Sequence, residues 1–227
     1  MSRYNIFNQI HKGLRVLLYD TAAMLGRTEF DDAEQYEAAA KRVKEVMDMF
    51  DNHAHHEDTQ VLPLIEEYEP AVVAAFEQEH VTDHALGQKL RGSIMALDQA
   101  VDSGAKHQLG LLLTRSFIEF MIFNLQHMHK EETVLNSILW RYYSDDELLD
   151  TNRKIVSSIP PHEANFASQW MMKALTDTEI SIWLRGVERS APAPVFRSLI
   201  DIAERELERA RFRSILEGLT EGVMIAS

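Results

Sequence analysis

NHAHHEDTQVLP, residues 52–63, carries a histidine at 53 and a glutamate at 57. Side chains spaced i, i+4 on a helix project from one face about one turn apart. The spacing returns twice. His80 and His84 stand in EQEHVTDHALG (77–87), and His127 and Glu131 in LQHMHKEETVL (125–135). A lone histidine, His11, lies upstream. Each motif alone is weak, because ten His and 36 acids in 227 residues give about one or two H-x-x-x-[DE] pairs at random. Their weight lies in falling one after another on successive helices.

The chain reads as almost wholly helical, with 9 Gly and 6 Pro and apolar residues at three- and four-residue intervals. A first helix is expected over Asn5–Leu25, then a loop from Gly26 to Asp32 with Asp31 or Asp32 as N-cap. A second runs to Pro63, whose ring should kink or end it. A third covers Ala71–Ala100, SGAK (Ser103–Lys106) makes the turn, and a fourth spans Gln108–Arg141. Four such helices with short connections make an up-down-up-down bundle the economical fold, all-α, over residues 1–142. Residues 143–227 form a C-terminal helical extension. It has capping boxes at Ser144–Glu147 and Thr176–Glu179, a break at Pro160–Pro161 and a last helix over Val195–Leu216.

Composition narrows the chemistry. With no Cys there is no disulfide, thiolate metal site, iron–sulfur cluster or Cys nucleophile. The N-terminus lacks the apolar run of a signal peptide, and no stretch approaches about 18 uncharged apolar residues. A cytoplasmic protein without a membrane span is expected. Residues 1–150 hold 13 basic and 26 acidic side chains and residues 151–227 hold 10 of each, so the net charge of -13 belongs to the first two-thirds. Such a surface repels nucleic acid. It suits bound cations, and it equally suits solubility.

Height and face make the motifs converge. His11 lies about 15 residues before the first loop and His53 about 21 after it. Glu57 lies about 6 residues before the second connection and His80 about 10 after it; His84 and His127 flank the third turn at about 19 and 21. In an antiparallel bundle, 1.5 Å per residue puts all seven groups within about two helical turns. Phe50 precedes His53 by three residues, Phe76 precedes His80 by four, and Phe120 and Phe123 precede His127 by seven and four. The candidates thus continue apolar stripes and point inward. Seven converging polar groups inside a bundle need a partner, and metal ions satisfy them. Imidazole and carboxylate suit iron and manganese, and the set exceeds what one structural zinc needs. A ferritin-like centre needs two E-x-x-H motifs, and only Glu77–His80 fits.

Residues 5–142, through these motifs, resemble the hemerythrin-like (HHE cation-binding) family. The resemblance implies a non-haem di-iron centre with an oxo or hydroxo bridge, for which Mn or Zn could substitute. His80, His84 and His127 would bind one iron, His11 and His53 the other, and Glu57 and Glu131 would bridge them. The iron with two histidines would keep a position for O2 or NO. The final H-x-x-x-E is similar to bacterial and sensor-type members rather than to invertebrate oxygen carriers, whose last carboxylate is an Asp five residues after its His. Binding of a diatomic ligand for sensing, storage or protection is therefore expected. The alternative is redox catalysis at the same centre: NO or peroxide reduction, iron delivery or cluster repair.

Other residues are expected to have plainer roles. His55, His56 and His129 face solvent or support the ligands, and His107 and His162 lie on the surface. Asp58 and Glu132 are surface charge, turned about 100° from their neighbouring glutamates. Trp170, Met171 and Met172 pack the extension, which offers a surface for a homodimer.

Overall fold

The computed structural model describes residues 3–224, with side chains to residue 219, and no strand occurs among them. Its helices are α1 (Asn8–Leu25), α2 (Ala33–His56), α3 (Leu62–Glu66), α4 (Pro70–Gln99), α5 (Ser103–Lys130), α6 (Asn136–Tyr142), α7 (Asp145–Ser158), α8 (Pro161–Ala174), α9 (Asp177–Ser190), α10 (Ala193–Glu206) and α11 (Arg209–Met224). One π-helical turn, Glu57–Val61, joins α2 to α3, and another, Glu131–Leu135, joins α5 to α6. The chain divides into two compact units, Met1–Phe7 with Leu17–Ser158, and Asn8–Val16 with Ile159–Ser227. The division runs through α1, and α7 falls in the first unit.

In the first unit α4 runs antiparallel to both α2 and α5. Against α5, Glu79 meets Lys130 at 2.7 Å, Asp83 meets Asn124 at 2.5 Å and Lys89 meets Glu119 at 2.5 Å, so one number falls as the other rises. Against α2 and the π turn that follows it, Asp58 pairs with His80 at 2.7 Å, Asp51 with Arg91 at 3.0 Å, and the Tyr36 hydroxyl donates to the Ile94 carbonyl at 3.2 Å. Buried Val43, Val46, Met47 and Phe50 of α2 lie in the same long apolar column as Leu90 and Ile94 of α4 and Phe117 and Phe120 of α5. Towards the other end a second apolar cluster joins Ile6, Val61, Leu62, Phe76, Leu135, Leu139 and Leu148 of α7.

Local chemistry moves several expected boundaries. Asp32 caps α2 by accepting the Gln35 N–H at 2.9 Å. Asp102 does the same for Ala105 at 2.8 Å, which makes SGAK the first turn of α5 instead of the turn before it. Pro63 does not end its helix, because the π turn absorbs the missing N–H and α3 follows. The helix expected over Val195–Leu216 is two helices. Leu207 is extended (φ -99°, ψ 150°), ends α10 and buries its side chain with Leu199 and Ile202.

The second unit has its own core around Met172, Ile180, Leu184 and Ile202. The Thr176–Glu179 capping box is formed, with the Thr176 N–H donating to Glu179 at 2.9 Å. Glu179 also takes Lys12 at 2.5 Å and Asn8 at 3.2 Å. Burial alone would raise its carboxyl, but these donors outweigh it and hold the group at about 2 against 4.5.

Two predictions follow from these contacts. A carboxyl depressed in the folded chain stabilises it above the unfolded value and loses that contribution as pH falls through the folded one. Acid unfolding of the second unit should therefore lose stability between about pH 4.5 and 2, and Glu179→Gln should be weaker at neutral pH with a flatter loss over that window. A Cβ on Gly110 of α5 would overlap the Phe30 ring, which is buried. Gly110→Ala should cost roughly 1–3 kcal/mol in denaturant unfolding.

Candidate metal centre

Along α2 the buried positions pass from Val46, Met47 and Phe50 to Glu57, then to Val61 and Leu62. Along α5 they pass from Phe117 and Phe120 through Asn124, His127 and Glu131 to Leu135. A polar layer thus interrupts the apolar column at one height on both helices. Glu57 is 3% exposed, Glu131 0% and His127 4%, while the buried side chains among the described residues include no Lys or Arg. Buried charge without a counter-charge is costly, so the layer calls for a cation or for protonation.

Both glutamates open a π turn. The N–H of Leu62 reaches back to the Glu57 carbonyl, and that of Asn136 to the Glu131 carbonyl. In a regular helix residues i+4 and i+5 would diverge by about 100°. Across each π turn both remain inside: Val61 and Leu62 are 2% exposed, Leu135 1% and Asn136 0%. Thr59 and Thr133 occupy equivalent places, each hydroxyl donating to the carbonyl four residues back, His55 and His129, at 2.7 Å. This likeness was legible as H-x-H-x-E-[DE]-T, present at 53–59 and 127–133.

Imidazoles meet the carboxylates from three helices. His53 Nε2 of α2 is 3.2 Å from Glu57 Oε1, and His127 Nε2 of α5 is 2.9 Å from Glu131 Oε1. His80 Nε2 of α4 makes no hydrogen bond and lies 3.5 Å from Glu57 Oε2 and 3.9 Å from Glu131 Oε1. Donor atoms about 3–4 Å apart are spaced as ligands of one ion with bonds near 2.1 Å. The rings of His80 and His127 are edge-to-face with centroids 4.8 Å apart, and Phe123 stacks on His127 at 6.0 Å.

The outer nitrogens of these rings are held by two carboxylates, one expected at the surface and one not singled out from the sequence. Asp58, read as surface charge, lies 2.7 Å from His80 Nδ1. Glu79 lies 2.8 Å from His127 Nδ1 and is itself paired with Lys130 at 2.7 Å. A carboxylate on the far ring nitrogen fixes the orientation of a ligating imidazole and turns its other nitrogen toward a metal. Burial pushes the His80 imidazole down, but Glu131, Glu57 and Asp58 together raise it to about 11. His127 likewise is lowered by burial and raised further by Glu131 and Glu79. The carboxylates around both rings set a negative field, of the kind that attracts a cation.

One group of donors results within the first unit. Glu57, His80, His127 and Glu131 each offer an atom within 4.8 Å of the others. His53 of α2 adds a fifth donor beside Glu57 and Glu131, and His11 is wholly buried on the part of α1 that belongs to the second unit. Five of the seven expected residues, all but His11 and His84, are thus brought together within the first unit.

His84 stands apart. Its side chain is 63% exposed, with Nδ1 3.4 Å from Asp51 and Nε2 3.3 Å from Gln88. The reason is helical phase. The buried stripe of α4 runs Phe76, His80, Asp83, Gly87 and Leu90, alternating steps of four and three. A step of four after a step of four drifts about 80° from the stripe, whereas three and four together drift only about 20°. Phe50–His53–Glu57 and Asn124–His127–Glu131 follow the three-then-four order, which carries both partners inward. Phe76–His80–His84 does not, and Asp83 takes the inner place. The spacing of four between Phe76 and His80 was the available signal.

Residues 2–154 match the hemerythrin HHE cation-binding domain. The chain belongs to that family. No curated protein and no solved structure matches it. The match extends beyond the bundle helices into α7, whose Leu148 closes the apolar cluster below the hemerythrin-type donor layer.

The threonine bonds give a test of the π turns. Thr59→Val and Thr133→Val keep side-chain volume and remove a hydroxyl. Each should lower stability by about 1 kcal/mol in urea titrations, with amide exchange quickened locally over 57–62 or 131–136.

Proposed function

We propose that this protein holds two iron ions, one at His11 and His53, the other at His80 and His127, with Glu57 and Glu131 common to both. In this reading it binds O2 or NO at the centre for sensing, storage or protection. The observation that supports it is the pair of buried glutamates met by His53, His80 and His127, since each carboxylate has two oxygens to divide between two ions. Iron is favoured over zinc by the imidazole–carboxylate donor set and over a single ion by the number of donors. A reduced iron pair supplies electrons and exchangeable coordination positions to a small ligand.

The chain's own groups account for the rest. Asp58 and Glu79 orient the His80 and His127 rings, and Lys130 balances the charge that Glu79 brings. Phe76, Phe120 and Phe50 line the approach to the layer, Phe50 and Phe120 meeting edge-to-face at 5.4 Å. Their rings keep bulk water from the donors. The negative field that raises both imidazoles favours a doubly charged ion over protons once one is available.

Anaerobic loading with Fe(II) followed by air tests the reading. About two irons per chain and a charge-transfer band in the visible are expected. Glu57→Gln and Glu131→Gln should abolish binding of both ions, and Asp58→Ala should weaken it by about 10- to 100-fold while leaving the helix content unchanged. Absence of stoichiometric iron in chelator-treated, reloaded protein would falsify the proposal. Sustained consumption of NO or H2O2 with a reductant would instead identify a redox enzyme built on the same centre.

A further inference from the structure

Asp83 has no part in the donor groups described so far, yet it is one of the most enclosed charges in the protein. It lies on the inner stripe of α4, one turn beyond His80, and is 4% exposed. Asn124 faces it from α5, one turn from His127 and 1% exposed. The Asn124 amide donates to Asp83 Oδ1 at 2.5 Å and to the Phe120 carbonyl at 3.1 Å, so both amide hydrogens are committed. The pair forms a polar step next to the His80–His127 layer, inside a stretch otherwise lined by Phe117, Phe120 and Leu90.

Burying a carboxylate here is costly unless it has something to accept from. Asn124 satisfies one oxygen and fixes the plane of the carboxylate, leaving the other as an acceptor. His80 and His127 turn Nδ1 to Asp58 and Glu79 and Nε2 to Glu57 and Glu131, so neither ring is available to Asp83. The donor group on this side provides four protein atoms, fewer than the six positions iron or cobalt fills with such ligands. Water is the natural occupant of what is left, and its protons need an acceptor in an apolar wall. His84 cannot serve, since both its ring nitrogens are engaged on the outer surface with Asp51 and Gln88.

We propose that Asp83, not His84, is the second side chain of α4 to serve the centre: its carboxylate accepts a hydrogen bond from an exchangeable water on the ion held by His80 and His127, and Asn124 is the positioning residue that aims it. The inference rests on the metal reading above and deepens it. It makes the His80–His127 side, rather than only the His11–His53 side, a place where a small ligand replaces water. It also names the ligand class received there: one that brings a proton toward Asp83.

Cobalt(II) titration of the full, metal-free chain, followed in the visible, tests it with a probe independent of turnover. The wild type and His84→Ala should each bind two Co(II), with constants within about twofold and superimposable bands. Asp83→Ala should still bind two, with one step weakened roughly tenfold and the bands altered in intensity. Asp83→Asn, which keeps the volume, provides the same readout should the alanine variant fold poorly. Asn124→Ala should shift the spectrum in the same direction by less. Loss of one cobalt in His84→Ala, or Asp83 variants indistinguishable from wild type in isotherm and spectrum, overturns this inference alone. A wild type that takes up no cobalt overturns the metal reading with it.

Discussion

Two carboxylates with almost no access to water, Glu57 and Glu131, set the terms for everything around them. Their helices carry them into a column of Phe, Leu, Val and Met side chains where unscreened negative charge is strongly disfavoured. Two features answer that charge, imidazoles aimed at the carboxylates and outer carboxylates that steer those imidazoles, while no Lys or Arg is buried in the layer among the described residues. A buried lysine or arginine would neutralise the layer permanently. Imidazole neutralises it on condition, since a ring can surrender its proton to make room for a metal.

The backbone is bent to the same end. A regular α-helix leaving Glu57 or Glu131 would turn Leu62 or Asn136 away from the core, opening the apolar floor beneath the donors. The π turns keep both following residues inside, and the threonine hydroxyls take up carbonyls that the widened turns disturb. That both carboxylates meet this device, on helices far apart in sequence, ties it to the layer and not to local propensity. Pro63 fits the first π turn without cost because its absent N–H falls where the ladder is already interrupted.

Much of this was legible in the order of residues. Long amphipathic helices, the Asp32 cap, both capping boxes and the inward turn of His53, Glu57, His127 and Glu131 follow from periodicity and spacing. What escaped has a common cause: phase between neighbouring elements. An i, i+4 pair says that two side chains share a face, not which face. His84 looked equivalent to Glu57 and Glu131 until its preceding step of four was compared with their preceding steps of three. Asp58 looked like surface charge because it leaves its own helix away from the core, but it meets His80 of α4, and no single-helix argument carries that information. The break at Leu207 has no Gly or Pro to announce it, and only the burial of that leucine with α10 explains it.

The same layer that could hold a metal weakens the fold that carries it. Replacing a buried polar cluster by apolar side chains of equal volume often leaves a protein as stable or more so, while removing one member of the cluster is severe. The donor layer therefore has no structural justification of its own: leucines at 57, 80, 127 and 131 would continue the column without interruption. It is retained with matched outer partners, two π turns and a second buried step at Asp83 and Asn124, each of which adds polar atoms that need satisfying. Such concentrated polar investment at one height of a bundle is intelligible when a bound cation returns the lost solvation, because binding to the folded chain then stabilises it in proportion to affinity. The apolar clusters on either side of the layer supply the rigidity that holds its donors in place.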